Sequence, residues 1–289
     1  MFKLLFCFLS IGFLAQAQQT HEYVGALKLN DTSLISYRLS FEEKDGLIQG
    51  YSVTDFGGPH ESKSLLAGYF DDVENSLNFY ESDILYTKSP ISQVDFCYVH
   101  FEGKLKNFDE RQQIAGAFSS LYDNGDPCIS GEIILINLGK MLKRATKLDR
   151  KIDKSILISK EKKEKINLVN SLDSLSMNVI RKNEVLSVFS KESEVMITVY
   201  DAGKEDGDRI RIMVNDEVFA SDYKVTLEKK DFHIPLTSDY TRVKVIALNN
   251  GLIGGNTVKI DIKSKNHIIE AVTSFKANDF AEFVFIRKE

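Results

Sequence analysis

The sequence predicts a mainly β protein in which two β-domains flank a long basic helical connector. Apolar and polar residues alternate with a period of two over much of residues 18–138 and 184–289, which is typical of strands that bury one face. Residues 139–183 instead carry apolar side chains at helical spacing and an excess of lysine and arginine. A chain of 289 residues is long enough for about two domains.

Residues 18–138 are expected to form an antiparallel meander. Apolar residues occupy every second position of 35–42, and a turn at 43–46 leads into 47–54, which predicts a hairpin. The expected architecture is a small barrel of lipocalin-like shape, with a sandwich as the alternative. Nine short strand-like runs carry this prediction: 22–29, 35–42, 47–54, 64–70, 76–80, 84–87, 94–105, 113–121 and 131–136.

Glycines support the barrel over the sandwich. In a strand, glycine usually marks a bend or a bulge, and repeated bends are what closing a small barrel requires. The barrel interior is expected either to be filled by its own side chains or to hold a small apolar ligand. Glycines fall within or beside the predicted strands at positions 25, 50, 68, 103, 116 and 131.

Net charge divides the chain into three parts, with −11 on residues 18–138, +8 on 139–183 and −3 on 184–289. We expect one long helix over 139–183, with a break near 155–159, that docks on a β-domain. A short coiled coil, or a basic surface helix that meets anionic lipid or polymer, are the alternatives. The two apolar stripes of the predicted helix are Leu138, Leu142, Ala145, Leu148 and Ile152, then Ile166, Val169, Leu172, Leu175 and Val179.

Residues 184–289 predict a second β-domain of about seven strands, for which an immunoglobulin-like sandwich is the expected architecture. Turn residues at 203–208, 215–216 and 249–251 separate the strands. Apolar residues alternate at Val195, Ile197 and Val199, at Ile210, Ile212 and Val214, at Val225 and Leu227, at Val243, Val245 and Ala247, at Val258, Ile260 and Ile262, and at Phe283 and Phe285.

Residues 1–17 are typical of a secretory signal peptide. Lys3 precedes an apolar run at 4–14, and residues 15–17 form an A-x-A cleavage site. The run is too short to span a bilayer, and no other stretch approaches the roughly 20 apolar residues needed, so no transmembrane segment is expected. The protein is therefore expected to be exported to the periplasm or the cell surface. Its charge of −5 gives no reason to expect nucleic acid as a partner.

The cysteines predict one disulfide. Cleavage of the signal peptide removes Cys7 and leaves Cys97 and Cys128 in an oxidising compartment. A reactive thiol is the alternative, but it needs a nearby histidine. His100 would lie on the opposite face of the strand from Cys97.

The densest group of acidic residues predicts a calcium site. Asp201, Glu205, Asp206 and Asp208 lie on a glycine-containing loop between two strands, and carboxylate oxygens are preferred ligands of Ca²⁺. The spacing does not match an EF-hand. The alternative is a hairpin loop whose charges are solvated.

The same stretch carries a resemblance to a known kind of module. Residues 201–215 read D-x4-D-G-D-R-I-x-I-x-V-N, and residues 247–257 contain A-L-N-N-G followed by G-N-T. Together they resemble a β-sandwich module of exported Bacteroidota proteins, over about residues 194–289. Gly255 stands where that pattern usually has proline, and Tyr200 where tryptophan is frequent. The resemblance implies an envelope or surface module without an agreed catalytic activity.

Sequence motifs of common enzymes are missing: the chain contains neither a G-x-S-x-G elbow nor an H-E-x-x-H helix. The leading hypothesis is a non-enzymatic binding or structural protein of the cell envelope, whose partner is an unidentified envelope protein or polymer. One alternative is a lipocalin-like carrier of a small apolar ligand. The other is a hydrolase of envelope polymers that uses paired carboxylates.

Overall fold

Over the described residues, the computed structural model is mainly β, with 65% of these residues in strands and one short α-helix. The predicted signal peptide and the second predicted helical stripe from 166 to 175 lie outside the residues that the structure describes. No helix in the described part is both long and apolar enough to cross a membrane. The described residues are 20–29, 33–71, 73–90, 92–104, 113–155, 159, 178–201, 203–252, 255–265 and 267–288.

The N-terminal strands form a closed antiparallel barrel, as the sequence predicts. Each strand pairs with its neighbours in sequence, and pairing of the first strand with the eighth closes the ring. Two of the nine predicted runs, 76–80 and 84–87, belong to one long strand, β5, whose pairing with β4 shifts register twice. The strands are β1 (Thr20–Lys28), β2 (Leu34–Lys44), β3 (Leu47–Thr54), β4 (Ser62–Asp71), β5 (Ser76–Thr87), β6 (Cys97–Lys104), β7 (Gln113–Tyr122) and β8 (Pro127–Asn137).

Apolar side chains from all eight strands meet in one buried core inside the barrel. Tyr23, Tyr37 and Phe79 are among the largest fully buried side chains. At Gly50, a methyl group would lie 2.0 Å from the Ser40 carbonyl oxygen of the neighbouring strand, so only glycine permits this close approach.

The described part of the predicted connector is a helix over its first residues and a strand near its end. Helix α1 (Leu138–Lys154) begins at Asn137, whose side chain accepts the Lys140 N–H at 3.1 Å, and it ends where Ser155 adopts extended backbone angles. Leu138 and Ala145 are buried, and the helix contacts β1 and β8. Residues 178–180 form strand β9, so Val179 does not lie on a helical stripe. Its parallel hydrogen bonding to a strand nearly 100 residues further on overrides the local helical spacing.

The described C-terminal residues contain ten strands, nine of them within residues 184–289, where the sequence predicts about seven. They form two five-stranded arrays, β13-β12-β15-β18-β10 and β14-β11-β16-β17-β9, whose buried apolar residues share one core. Val225 belongs to this core but lies in the loop after β13, not in a strand. The strands are β9 (Asn178–Ile180), β10 (Glu184–Ser190), β11 (Glu194–Asp201), β12 (Arg209–Val214), β13 (Glu217–Lys224), β14 (Lys230–Pro235), β15 (Tyr240–Ala247), β16 (Asn256–Lys263), β17 (Ile268–Phe275) and β18 (Phe280–Arg287).

The barrel and the C-terminal strands are joined by hydrogen bonding between β5 and β10, which makes one continuous 13-stranded sheet. Lys88 lies at this junction with its side chain 1% exposed. Its ammonium donates to the Val179 carbonyl at 2.9 Å and lies 3.7 Å from Glu61 and 3.6 Å from Glu184. Tyr86 also donates its hydroxyl to Glu61, at 2.9 Å. A buried ionic network therefore links the two bodies.

Replacing Lys88 with methionine leaves the buried carboxylate of Glu61 without its cation and leaves the half-buried Glu184 with only the exposed Arg181 as an ionic partner. Breaking a buried ion pair in this way typically costs about 3–5 kcal/mol, so we expect the free energy of unfolding to fall by several kcal/mol in urea denaturation. Lys44→Met, which changes an exposed lysine, is the matched control. A stability within about 0.5 kcal/mol of wild type would show that the network does not hold the junction together.

The predicted disulfide is confirmed. Cys97, at the start of β6, is bonded to Cys128 in β8. The two Cα atoms lie 6.1 Å apart, and the two residues are separated by 31 positions in sequence. The bond therefore fastens two barrel strands that are separated by β7.

The double variant Cys97→Ser/Cys128→Ser is expected to lower the free energy of unfolding by about 3 kcal/mol, because it releases a loop constraint on the unfolded chain. Denaturation with and without dithiothreitol measures the effect. The reductant should destabilise wild type and leave the double variant unchanged. Equal sensitivity of the two proteins would mean that the bond contributes nothing to stability.

Candidate metal centre

Three aspartates converge at one end of the C-terminal strands. Asp201 is the last residue of β11, and Asp206 and Asp208 lie in the loop that leads into β12. One carboxylate oxygen from each residue lies within 4.8 Å of those of the other two. All three are buried, with exposures of 5%, 8% and 1%. Buried carboxylates at such spacing repel one another unless a cation or a proton intervenes.

Backbone N–H groups hold one oxygen of each carboxylate. Gly203 donates to Asp201 Oδ1 at 2.7 Å, Leu252 donates to Asp206 Oδ2 at 2.9 Å, and Thr257 donates to Asp208 Oδ2 at 2.8 Å. Among the described residues, the opposite oxygens, Oδ2 of Asp201 and Oδ1 of Asp208, are buried without a hydrogen-bond partner. Since a buried charged oxygen without a partner costs free energy, these two atoms are candidates to bind a cation.

The loop between β15 and β16 completes the site. Gly251 has φ of 63°, and a methyl group there would lie 2.5 Å from Asp208 Oδ1. Asn249 accepts the Arg209 N–H at 3.0 Å and donates to the Gly207 carbonyl at 2.7 Å. Asn256 donates to the Arg209 carbonyl at 3.0 Å. The two motif segments of the sequence, 201–215 and 247–257, therefore lie against each other at this site.

The electrostatics of the site disfavour three ionised carboxylates. Burial raises the pKa of Asp208 to about 6, and the charges of Asp206 and Asp201 add to the rise, while the Thr257 N–H opposes it. Within the described residues, no lysine or arginine forms an ion pair with Asp201 or Asp208. Lys204 lines the same recess, which has a volume of about 230 Å³, but it is exposed.

An all-oxygen ligand set with several carboxylates is what calcium prefers, because Ca²⁺ accepts a flexible arrangement of oxygen ligands. Magnesium demands a nearly ideal octahedron, and zinc prefers nitrogen and sulfur. The carboxylates of Asp201, Asp206 and Asp208 would hold the ion. The Gly255 carbonyl lies 3.0 Å from the position of a methyl group on Gly251 and so borders the same space.

The structure brings together three of the four residues that the sequence singles out. Glu205 points elsewhere: its Oε1 accepts the Leu227 N–H at 2.9 Å, and its side chain is exposed. Three residues that contact the aspartates, Gly251, Leu252 and Thr257, were not predicted from the sequence to belong to the site. The A-L-N-N-G and G-N-T segments were a signal for them, because Asn and Gly at such spacing favour turns that present backbone N–H groups.

A buried carboxylate that was not predicted from the sequence lies inside the barrel. Glu81 is 4% exposed and accepts hydrogen bonds from the Tyr37 hydroxyl at 2.8 Å, from the Val99 N–H at 2.8 Å and from the Ser52 hydroxyl. Burial raises the pKa of Glu81. Because its oxygens are enclosed by these three donors, Glu81 stabilises the barrel interior and is inaccessible to a polymer substrate.

Comparison of the chain with protein-family models, with curated proteins and with solved structures finds no match in any of the three. Its functional assignment therefore rests on the geometry of the aspartate site.

Proposed function

We propose that the protein is an exported, non-enzymatic component of the cell envelope whose C-terminal strands bind Ca²⁺ through Asp201, Asp206 and Asp208. The observation that carries this proposal is the convergence of three buried carboxylates, two of which keep a buried oxygen that no described residue hydrogen-bonds. A bound cation would supply both missing interactions and relieve the mutual repulsion.

Export fits both the disulfide and the metal. A structural disulfide is expected in an oxidising compartment, which agrees with the predicted signal peptide at residues 1–17. Calcium sites of extracellular modules bind with dissociation constants of about 10⁻⁴–10⁻³ M, so few protein ligands suffice where calcium is abundant. The resemblance to exported Bacteroidota modules points to the same compartment.

The role of the ion is structural. It would tie the loop between β11 and β12 to the loop between β15 and β16, and so fix one end of the C-terminal sandwich. The strand order β13-β12-β15-β18 supports an immunoglobulin-like arrangement with the hairpin β16–β17 added to it. Such an end presents shaped loops to a partner, here an envelope protein or polymer.

The two alternative functions have weaker support. Carriage of an apolar ligand needs a hollow barrel, whereas side chains from all eight strands meet in the interior, including the rings of Tyr23, Tyr37 and Phe79. Hydrolysis needs accessible paired carboxylates. The buried Glu81 and Glu61 are instead engaged by hydrogen-bond donors.

Calcium at about 10 mM is expected to raise the free energy of unfolding by about 2 kcal/mol, following the stabilisation of a folded state by its ligand. Asp208→Asn should abolish this gain, since the amide removes a charged ligand of similar shape. Glu205→Gln, on the same loop but outside the cluster, should retain it. Calorimetric titration measures calcium binding by each variant, and urea denaturation measures its free energy of unfolding. An undiminished response to calcium in Asp208→Asn would overturn the site.

The metal-free protein is expected to lose stability as the pH rises through about 6. The pKa of Asp208 is raised to about 6 in the folded state. Its contribution is therefore present in full below its unfolded pKa of about 4 and is lost above the folded pKa. Urea denaturation in EDTA at about pH 5 and pH 7.5 should show a larger loss for wild type than for Asp208→Asn. With calcium present, the free energy of unfolding should instead increase over the same pH range, because the ion binds the ionised carboxylate.

A further inference from the structure

A second candidate site lies between the barrel and the C-terminal strands. The outer face of β2, β3 and β4 borders a groove of about 650 Å³, whose far wall includes His267 and Ile268. A smaller cavity of about 70 Å³ shares Tyr51, Lys63 and Ile268 with this groove. Grooves of 300–1,000 Å³ at the junction of two bodies are typical binding sites for small molecules.

Lys63 is the feature that sets this groove apart. Its ammonium lies 3.7 Å from the centroid of the Tyr51 ring, and in the described part of the chain no carboxylate lies within ion-pair distance of it. Burial, together with the positive charge of Arg38, lowers the pKa of Lys63 to about 8, while the charges of Glu270 and Glu61 oppose this change. A partly buried cation that rests on an aromatic face without a carboxylate partner is suited to receive an anion.

The acidic residues near the groove are engaged elsewhere or face water. Glu22 lies 2.8 Å from the guanidinium of Arg38, and Glu61 is held by Tyr86 and Lys88. Glu42 is exposed to solvent. Glu270 is also exposed, but it lines the smaller cavity together with Glu61 and Lys63, and both carboxylates act to raise the pKa of Lys63. Among the described side chains no carboxylate lies within ion-pair distance of the Lys63 ammonium, so it remains open to a further anionic partner.

Polar groups surround the two cavities. The side-chain amide of Asn178 lines the smaller one and is 9% exposed, and within the part of the chain that the structure describes neither its nitrogen nor its oxygen has a hydrogen-bond partner. Ser40 and Gln49 line the larger one. Such hydroxyl and amide groups suit a ligand with several hydroxyls, and the Tyr51 ring offers a flat surface beside them.

We propose that this groove binds a small carboxylate-bearing sugar, whose carboxylate pairs with Lys63 and whose hydroxyls meet Ser40, Gln49 and Asn178. The ligand is free acidic sugar or an acidic residue of a polymer, which present the same chemistry. The site is separate from the aspartate cluster, and its occupancy does not depend on calcium.

Calorimetric titration of the full chain in calcium-free buffer tests the proposal. Sodium galacturonate should bind with a dissociation constant in the millimolar range, and galactose, which lacks the carboxylate, should not. A second titration with polygalacturonate distinguishes a free sugar from a polymer as the ligand. Tighter binding of the polymer, per sugar residue, than of the monomer indicates a polymer ligand. Binding of the monomer but not of the polymer indicates a free sugar. Equal binding of galactose and galacturonate, or no saturable binding up to about 50 mM, would overturn the site.

Lys63→Met is expected to weaken galacturonate binding by about tenfold or more, because it removes the charge and keeps the length of the side chain. Lys44→Met, on the exposed end of β2, should bind like wild type. If Lys63→Met fails to fold, the wild-type protein still provides a test, since its affinity should fall as the pH rises through about 8 and Lys63 loses its proton. Unchanged affinity from about pH 6.5 to 9.5, or in a folded Lys63→Met, would contradict the proposal.

Discussion

Strand β5 is the element on which the rest of the structure depends. It pairs with β4 and β6 inside the barrel, and its last residues, Tyr86 and Thr87, pair with β10 of the C-terminal part. Register shifts along its pairing with β4 allow one strand to serve both bodies. Lys88, immediately after β5, places a buried ionic network at the same point. The position of the groove beside Lys63 follows from this junction.

Local sequence patterns predicted the strands that bury one face, and they were sufficient for the barrel. Alternation at 35–42 and 47–54 became the hairpin β2–β3, because both local preference and burial favour the same pairing. The pattern failed where partners are distant. Asn178–Ile180 pairs in parallel with β17, and β10 pairs in parallel with β18, and no local spacing encodes either pairing.

The aspartate site shows the same division between local and distant information. Asp201, Asp206 and Asp208 are close in sequence, so their convergence was predictable from residue type and spacing. The N–H group of Leu252 comes from the loop after β15 and that of Thr257 from the start of β16, both more than 40 residues away in sequence. Only the packing of β12 beside β15 and of β11 beside β16 brings them near. Glu205 belongs to the same acidic loop but faces Leu227, because spacing alone does not set the direction of a side chain.

The position of β18 in its sheet has a consequence for the order in which the two bodies fold. Although it follows every other described strand in sequence, it lies between β15 and β10 in the interior of the sheet, and it contributes Phe283 and Phe285 to the core. A chain that emerges from its N-terminus, whether from a ribosome or through a translocation pore, can close the barrel before β18 appears. The second body must wait with β10 and β15 unjoined until β18 has arrived, which makes it the stage that most needs protection from aggregation.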